Sequence, residues 1–176
     1  MPTPSKISVK RLTNANIYIN GNSFLGRAEE VTTPMIKYKQ SEHKALGMIG
    51  TFELFSGIDK IEAKIKWNSL YEEVLKEISN PTQVIKMQVR GSIETYDATG
   101  RAEEVPVICY MDCFAKDFPM GNFKQHDNVE IETNFNVVYA KLEINGVEKY
   151  EVDILSNILV IEGKDVLATY RANLGI

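Results

Sequence analysis

The chain has 176 residues, 44% apolar and 25% charged, which is ordinary globular usage and excludes a disordered tail, a collagen-like rod and a disulfide scaffold. Its 20 Lys and Arg against 24 Asp and Glu give a net charge of −4 at pH 7, so it lacks the basic face that grips nucleic acid by its phosphates. The longest apolar run, Val107–Met111, is far short of the ~20 residues that cross a bilayer. No membrane partner is expected.

The length fits a single domain over residues 1–176. Residues 1–15 are polar and carry Pro2 and Pro4, which predicts an extended arm, and no apolar stretch behind Met1 suggests a secretory signal. Asn20-Gly21 then sits between two apolar runs, a strong hairpin signal because both turn residues take positive φ. Val31 to Lys39 reads as a strand that Pro34 demotes to an edge or bulge. The stretch Gln40 to Gly50 has no clean period and reads as an extended loop over 40–50, polar first and then apolar with glycines. Thr51 to Phe55 resumes β character. Ile61, Ala63, Ile65 and Trp67 alternate with Glu62, Lys64 and Lys66, a half-buried strand that puts Trp67 in the core.

Ser69-Leu70-Tyr71-Glu72 fits a capping box, with Leu70, Val74 and Ile78 on one helical face and Asn80-Pro81 as the stop. Strands return with Ile85 to Glu94, a turn at Asp97 to Gly100, and Val105 to Ala115. Pro119 to Asn122 is a turn. Val129, Ile131, Phe135, Val137 and Tyr139 predict a long apolar face, with Glu130, Glu132, Asn134 and Asn136 on its reverse. Asn145-Gly146 marks a second tight hairpin. Short strands near Ile158–Ile161 and Leu167–Tyr170 end the chain. The fold expected is mainly β, an antiparallel sandwich or barrel with one peripheral α-helix.

Chemistry finds little footing. Cys109 and Cys113 lie on one predicted strand, about 13 Å apart, beyond the ~7 Å reach of a disulfide. They read as reduced thiols, and as a metal pair they would need two further ligands. His43 and His126, the only histidines, fall in polar segments, and no phosphate loop or dinucleotide fingerprint occurs. No enzyme, cofactor or metal site is expected. The hexapeptide Gly-Arg-Ala-Glu-Glu-Val occurs at Gly26–Val31 and again at Gly100–Val105, either a trace of pseudo-symmetry or a coincidence. Leu46, Gly47, Met48, Ile49 and Gly50 either fill the core or, being hard to hide in a chain that already has one, meet a partner, as exposed apolar residues commonly do.

Several segments in order resemble the major tail tube protein family of contractile-tailed bacteriophages, also used in R-type bacteriocins. They are Ile19 to Gly26, Glu29 to Pro34, Gly47 to Gly50, Gly57 to Ala63, Tyr139 to Gly146, Tyr150 to Asp153 and Arg171 to Ile176. The chain departs from that pattern at Glu162-Gly163-Lys164-Asp165, where Asn-Gly-Val-Asp is expected, although the turn glycine and the aspartate are kept. The resemblance implies hexameric rings that stack into a hollow tube inside a sheath, a conduit for DNA that passes without binding. It implies residues 40–50 as the loop reaching a neighbouring subunit or ring. The implied partners are further copies of the chain, the tail sheath protein, the tape-measure protein, and the baseplate and tail terminator proteins. The implied location is the virion tail, assembled in the host cytoplasm. In such a tube, Glu130, Glu132, Asn134 and Asn136 are candidates for the lumen wall. The competing reading from another class is a β-sandwich module that binds carbohydrate or peptide.

Overall fold

The computed structural model describes residues 7–176; the head of the predicted arm, residues 1–6, lies outside them. The described elements follow in the order β1 (Val9–Ile19), β2 (Asn22–Ser23), β3 (Ala28–Thr32), β4 (Tyr38–His43), β5 (Phe52–Ile58), β6 (Ile61–Trp67), α1 (Glu72–Ile78), β7 (Ile85–Asp97), β8 (Gly100–Ala115), β9 (Ile131–Ile144), β10 (Val147–Asp153), β11 (Ile158–Ile161), β12 (Lys164–Asp165) and α2 (Ala168–Leu174). Ten strands form one sheet and β4–β5 form a separate two-stranded sheet. The class is mainly β and antiparallel, as expected.

The large sheet runs β12-β11-β10-β9-β8-β7-β1-β2, and β6 with β3 branches from it at β9. The branch works because β9 is long enough to serve two neighbours on one edge. Its first half pairs with β6, Ile131 opposite Trp67 and Val137 opposite Ile61. Its second half pairs with β10, Tyr139 opposite Asp153 and Ile144 opposite Val147. Along the other edge β8 accompanies both halves, and the register slips between Asp112/Tyr139 and Cys113/Val137. Val138 is the extra residue of a bulge.

That bulge corrects one expectation. Ile131, Phe135 and Val137 are buried as predicted, but past Val138 the alternation changes phase and Ala140 takes the buried place. Tyr139 leaves the apolar face, and its hydroxyl donates to Glu151 Oε1 at 2.9 Å.

One core joins all these strands. It holds Ile17 and Ile19 of β1, Ile61 to Trp67 of β6, Ile85 and Met87 of β7, Met111 and Cys113 of β8, Phe135 of β9, Val152 of β10 and Leu159 of β11. A sheet whose distant strands share one core has bent over on itself as a sandwich does. Trp67 is wholly buried, meets Phe24 edge-on at 6.1 Å between ring centroids, and donates from Nε1 to the buried Thr133 Oγ1 at 3.1 Å. The tight turns fall where Asn-Gly predicts them, with φ of 49° and 86° at Asn20 and Gly21 and 53° and 72° at Asn145 and Gly146.

The helices depart from expectation. α1 places Val74 and Ile78 in the core, but it begins at Glu72 with Tyr71 as N-cap and no side-chain capping bond, so the capping box does not form. The predicted strand Leu167–Tyr170 is instead the start of α2, giving two helices rather than one. Asp165 Oδ1 accepts from Leu167 N at 3.0 Å, and Gly175, at φ 73°, closes the other end with its N–H on Ala172 O. A start and a stop only a few residues apart outweigh the local β propensity of Leu-Ala-Thr-Tyr.

One charged group is buried on the outer side of the sheet. Glu94 of β7 is 5% exposed. Arg101 (2.9 Å) and Arg11 (3.1 Å) pair with it, and the Tyr96 hydroxyl donates to it at 2.8 Å. The hydrogen bond from Arg101, and after it that from Tyr96, hold its carboxyl down to about 2. The network ties the start of β1 to the β7–β8 hairpin.

Two outcomes follow. Trp67→Ala should cost ~3–5 kcal/mol in urea unfolding, as expected for a large aromatic removed from a core. Trp67→Phe should cost only about 1–2 kcal/mol, because it leaves Thr133 short of a partner. Glu94 has a folded pKa below its ordinary value, so its stabilisation is full above the ordinary carboxylate range and fades as pH falls towards 2. Thermal melts should show Glu94→Gln melting below the parent at pH 7, with the gap closing near pH 2.

Candidate functional site

The β4–β5 hairpin stands apart from the core. All six residues of β4 and the first five of β5 are exposed, and each strand has one edge with no partner among the described residues. Its base is fixed. The Tyr38 and Tyr150 hydroxyls lie 2.9 Å apart, Lys39 pairs with Asp59 at 3.4 Å, and Asp59 N donates to Lys37 O at 2.9 Å. Burial, then the contact with Tyr38, pushes the Tyr150 hydroxyl pKa up. Gly57, at φ 133°, and a register slip at Lys39/Gln40 shape the hairpin near this base.

The stretch 40–50 is therefore only partly loop. Residues 40–43 belong to β4, and the tip proper spans 44–51. At the tip Leu46 is 106% and Ile49 110% exposed, and Met48 is 43% exposed. Gly47 has φ 88°, a conformation that keeps a glycine between the apolar side chains. The sequence leaves these residues without a home, and within one protomer they have none.

The outward face of β3, β6 and β9 carries Glu132, Asn134 and Asn136, with Glu130 just before β9. It is a lattice of ion pairs rather than a row of free carboxylates. Lys64 meets Glu132 at 2.7 Å, and Lys66 meets Glu29 at 2.9 Å and Glu130 at 3.2 Å. Lys116 and Lys60 both bind Glu62. Glu29, then Glu130, raise the Lys66 pKa, while Lys116, then Lys60, lower that of Glu62. Asn134 is held through Nδ2 by Asp117 at 2.7 Å. Period-two reading places the carboxylates on this face, but the matching lysines come from a strand some 70 residues away.

Three surfaces are missed by the sequence reading. The opposite outward face has an open hollow of about 880 Å³ lined by Tyr18, Arg90, Tyr110, Tyr139 and Lys141, among others. Its aromatic rings are already engaged, with Arg90 over Tyr18 and Lys141 over Tyr110. The β8–β9 connection exposes Phe118, Met120 and Phe123; sequence reading recognises only its turn, because no period marks the rest. A third surface is an apolar cleft of about 520 Å³ between β3 and the inner side of β1, β7, β8 and β9.

The reactive residue types are not brought together. His43 ends β4, and His126 lies in the β8–β9 connection. Cys109 and Cys113 are free on the inward face of β8; burial pushes the Cys109 thiol up to about 11 and raises that of Cys113 as well. Among the described residues, no group of three or more His, Cys, Asp or Glu could hold a metal ion, and no helix is long and apolar enough to cross a membrane. The two copies of the repeated hexapeptide use their arginines differently. Arg27 pairs with Glu73 and lies over Phe24 and Tyr71, whereas Arg101 pairs with Glu94 and Glu104.

Comparison with known proteins places these surfaces in context. The family profile described as "Phage tail tube protein FII" matches residues 9–175. The tail tube protein of Escherichia phage P2 is 28% identical over 171 residues, covering 95% of this chain and 98% of that one. A chain in the 6-fold symmetrised cryo-EM structure of the anti-feeding prophage baseplate aligns with a TM-score of 0.48 at 12% identity, over 81% of this chain and 97% of that chain.

Proposed function

The chain belongs to the phage tail tube family, structural proteins of the virion tail rather than enzymes, and from that premise we propose how its surfaces build a tube. Protomers close into hexameric rings, and the rings stack as the inner tube of a contractile tail or a related bacteriocin. In a phage this tube is the conduit for DNA ejection. The protomers assemble in the host cytoplasm with the sheath, tape-measure, baseplate and terminator proteins.

The observation that carries this reading is the β4–β5 hairpin. A two-stranded arm with its base anchored and Leu46, Met48 and Ile49 bare at its tip is poorly explained in a monomer. It fits a subunit whose apolar tip is covered by a neighbour. A protruding tip on one surface of the chain and its seat on another make a heterologous contact, the kind that closes rings or propagates along an axis. The module reading finds no comparable support, since Trp67 is buried and the tyrosines of the open hollow, Tyr18, Tyr110 and Tyr139, have partners of their own.

The face bearing Glu130, Glu132, Asn134 and Asn136 lines the lumen in this proposal, and the tyrosine-rich face turns towards the sheath. On the Glu130–Asn136 face Lys60, Lys64, Lys66 and Lys116 are each engaged by a carboxylate, which leaves little cationic surface for phosphate. DNA bound by such cations would stick through counterion release.

Two experiments test the parts separately. Replacing residues 44–51 by a short Gly/Ser turn should leave a soluble, folded β protein, since closing a flexible loop costs little. Negative-stain microscopy should find no tubes; tubes of normal appearance from the shortened chain would remove the hairpin from the assembly. For the lumen, a phage carrying Glu130→Lys with Glu132→Lys, which also releases Lys64 and leaves Lys66 with Glu29 alone, should build normal tubes yet eject DNA more slowly, with added salt relieving the delay. Unchanged ejection would refute the lumen assignment.

A further inference from the structure

The tripeptide Ile-Asn-Gly occurs twice, at Ile19–Gly21 and at Ile144–Gly146, and both copies make the same kind of turn. Asn and Gly take left-handed φ of 49° and 86° in the first and 53° and 72° in the second. Both asparagines and both glycines are exposed, and a Cβ on either glycine would meet nothing within 4 Å. An asparagine followed by glycine is open to attack on its side-chain carboxamide by the next backbone nitrogen, because glycine has no side chain to crowd the ring that forms. Sequence, turn and exposure are matched, and only the surroundings of the two asparagines differ.

Asn20 is tethered at both ends of its carboxamide. Its Oδ1 accepts from Lys86 N at 3.0 Å, and its Nδ2 donates to the Glu77 carboxylate of α1. Its Cγ cannot swing towards Gly21 N without breaking a charge-assisted bond. Asn145 has no such hold. Its backbone N donates to Pro106 O at 2.8 Å, but its side chain has no hydrogen-bond partner among the described residues. The carboxylates on either side of the turn, Glu143 and Glu148, are both taken by Lys141.

We propose that Asn145 is a site of spontaneous deamidation in the folded protein, and that Lys86 and Glu77 protect Asn20 from the same reaction. Gly146 N bonds to Asn145 Cγ, and the Cγ–Nδ2 bond breaks. The Gly146 proton passes through solvent to the departing nitrogen, which leaves as ammonia. Water then opens the cyclic imide at one or other carbonyl, giving aspartate or isoaspartate. Either product adds one negative charge to a chain that carries −4. Isoaspartate also adds a carbon to the backbone of a two-residue loop whose length sets the β9–β10 register, whereas aspartate tolerates the left-handed turn. The reaction needs no second copy of the chain.

The test uses the full chain, incubated in mildly alkaline heavy-oxygen water, digested in ordinary water and mapped by peptide mass spectrometry. The label marks acid formed during the incubation. Asn145 should convert at least roughly tenfold faster than Asn20, the rate equivalent of one charge-assisted hydrogen bond. In urea the two rates should converge, because the tether is gone and the tripeptide is the same. Glu77→Ala should speed Asn20 in the folded chain and leave Asn145 unchanged. Equal rates in the folded chain, a difference that persists in urea, or an Asn145 that keeps its amide when folded yet loses it in urea would each overturn the proposal. An Asn20 rate unmoved by Glu77→Ala would overturn the protection assigned to Glu77.

Discussion

The rest of the structure depends on one strand doing two jobs. β9 must face β6 over its first half and β10 over its second while keeping β8 from Phe135 to Ile144. A perfectly regular strand would hold one phase from end to end. The extra residue at Val138 shifts it, so that Val137 and Ala140 both face inward though they are three apart. Bulges also bend a strand and increase its local twist, and the bend is where the sheet divides into its two branches. Without it, either the Ile131–Val137 face or the Ala140–Leu142 face would point away from the core.

The two branches leave two outward faces with different chemistry, and in both the charges are arranged in pairs. Around Glu62, Glu130 and Glu132 the pairs are exposed and contribute little stability each. Their effect is on what the surface offers to others, because an engaged ammonium is less available to a phosphate. Around Glu94 the carboxylate is buried and takes hydrogen bonds from two arginines and a tyrosine. A carboxyl held down to about 2 in the folded chain stabilises it at neutral pH, and loss of its arginine partners would leave that buried charge uncompensated, which is costly. The first kind of pairing tunes a surface and the second fixes register at the start of β1.

What was legible in the sequence follows the same physics. The Asn-Gly turns, the alternation through Trp67 and the apolar residues at 46–49 are local signals, and each holds. Tyr139 falls on the wrong face in a period-two count because a bulge has no signature there; only the partner strand reveals the slip. α2 reads as a strand because four residues of mixed propensity cannot decide between strand and helix, although Asp165, Arg171 and Gly175 hold the start and stop information that does. The lysines that neutralise Glu130 and Glu132 were each visible, but their meeting is a matter of strand pairing across the sheet.

An exposed hairpin with two free edges and an apolar tip is a hazard before it is a device, because any free edge invites strand addition from another chain. The charges along this one limit that hazard. Lys39 and Glu42 on β4, Glu53 on β5 and the Glu42–Lys44 pair at 3.2 Å place ionised groups along both edges, and the slip at Lys39/Gln40 twists the edge near the base. Indiscriminate pairing is thereby discouraged, while the tip keeps its apolar side chains bare. A partner that receives only the tip meets the attractive part of the hairpin and avoids the rest. Selectivity of this sort joins an attractive tip to edges that refuse wrong partners.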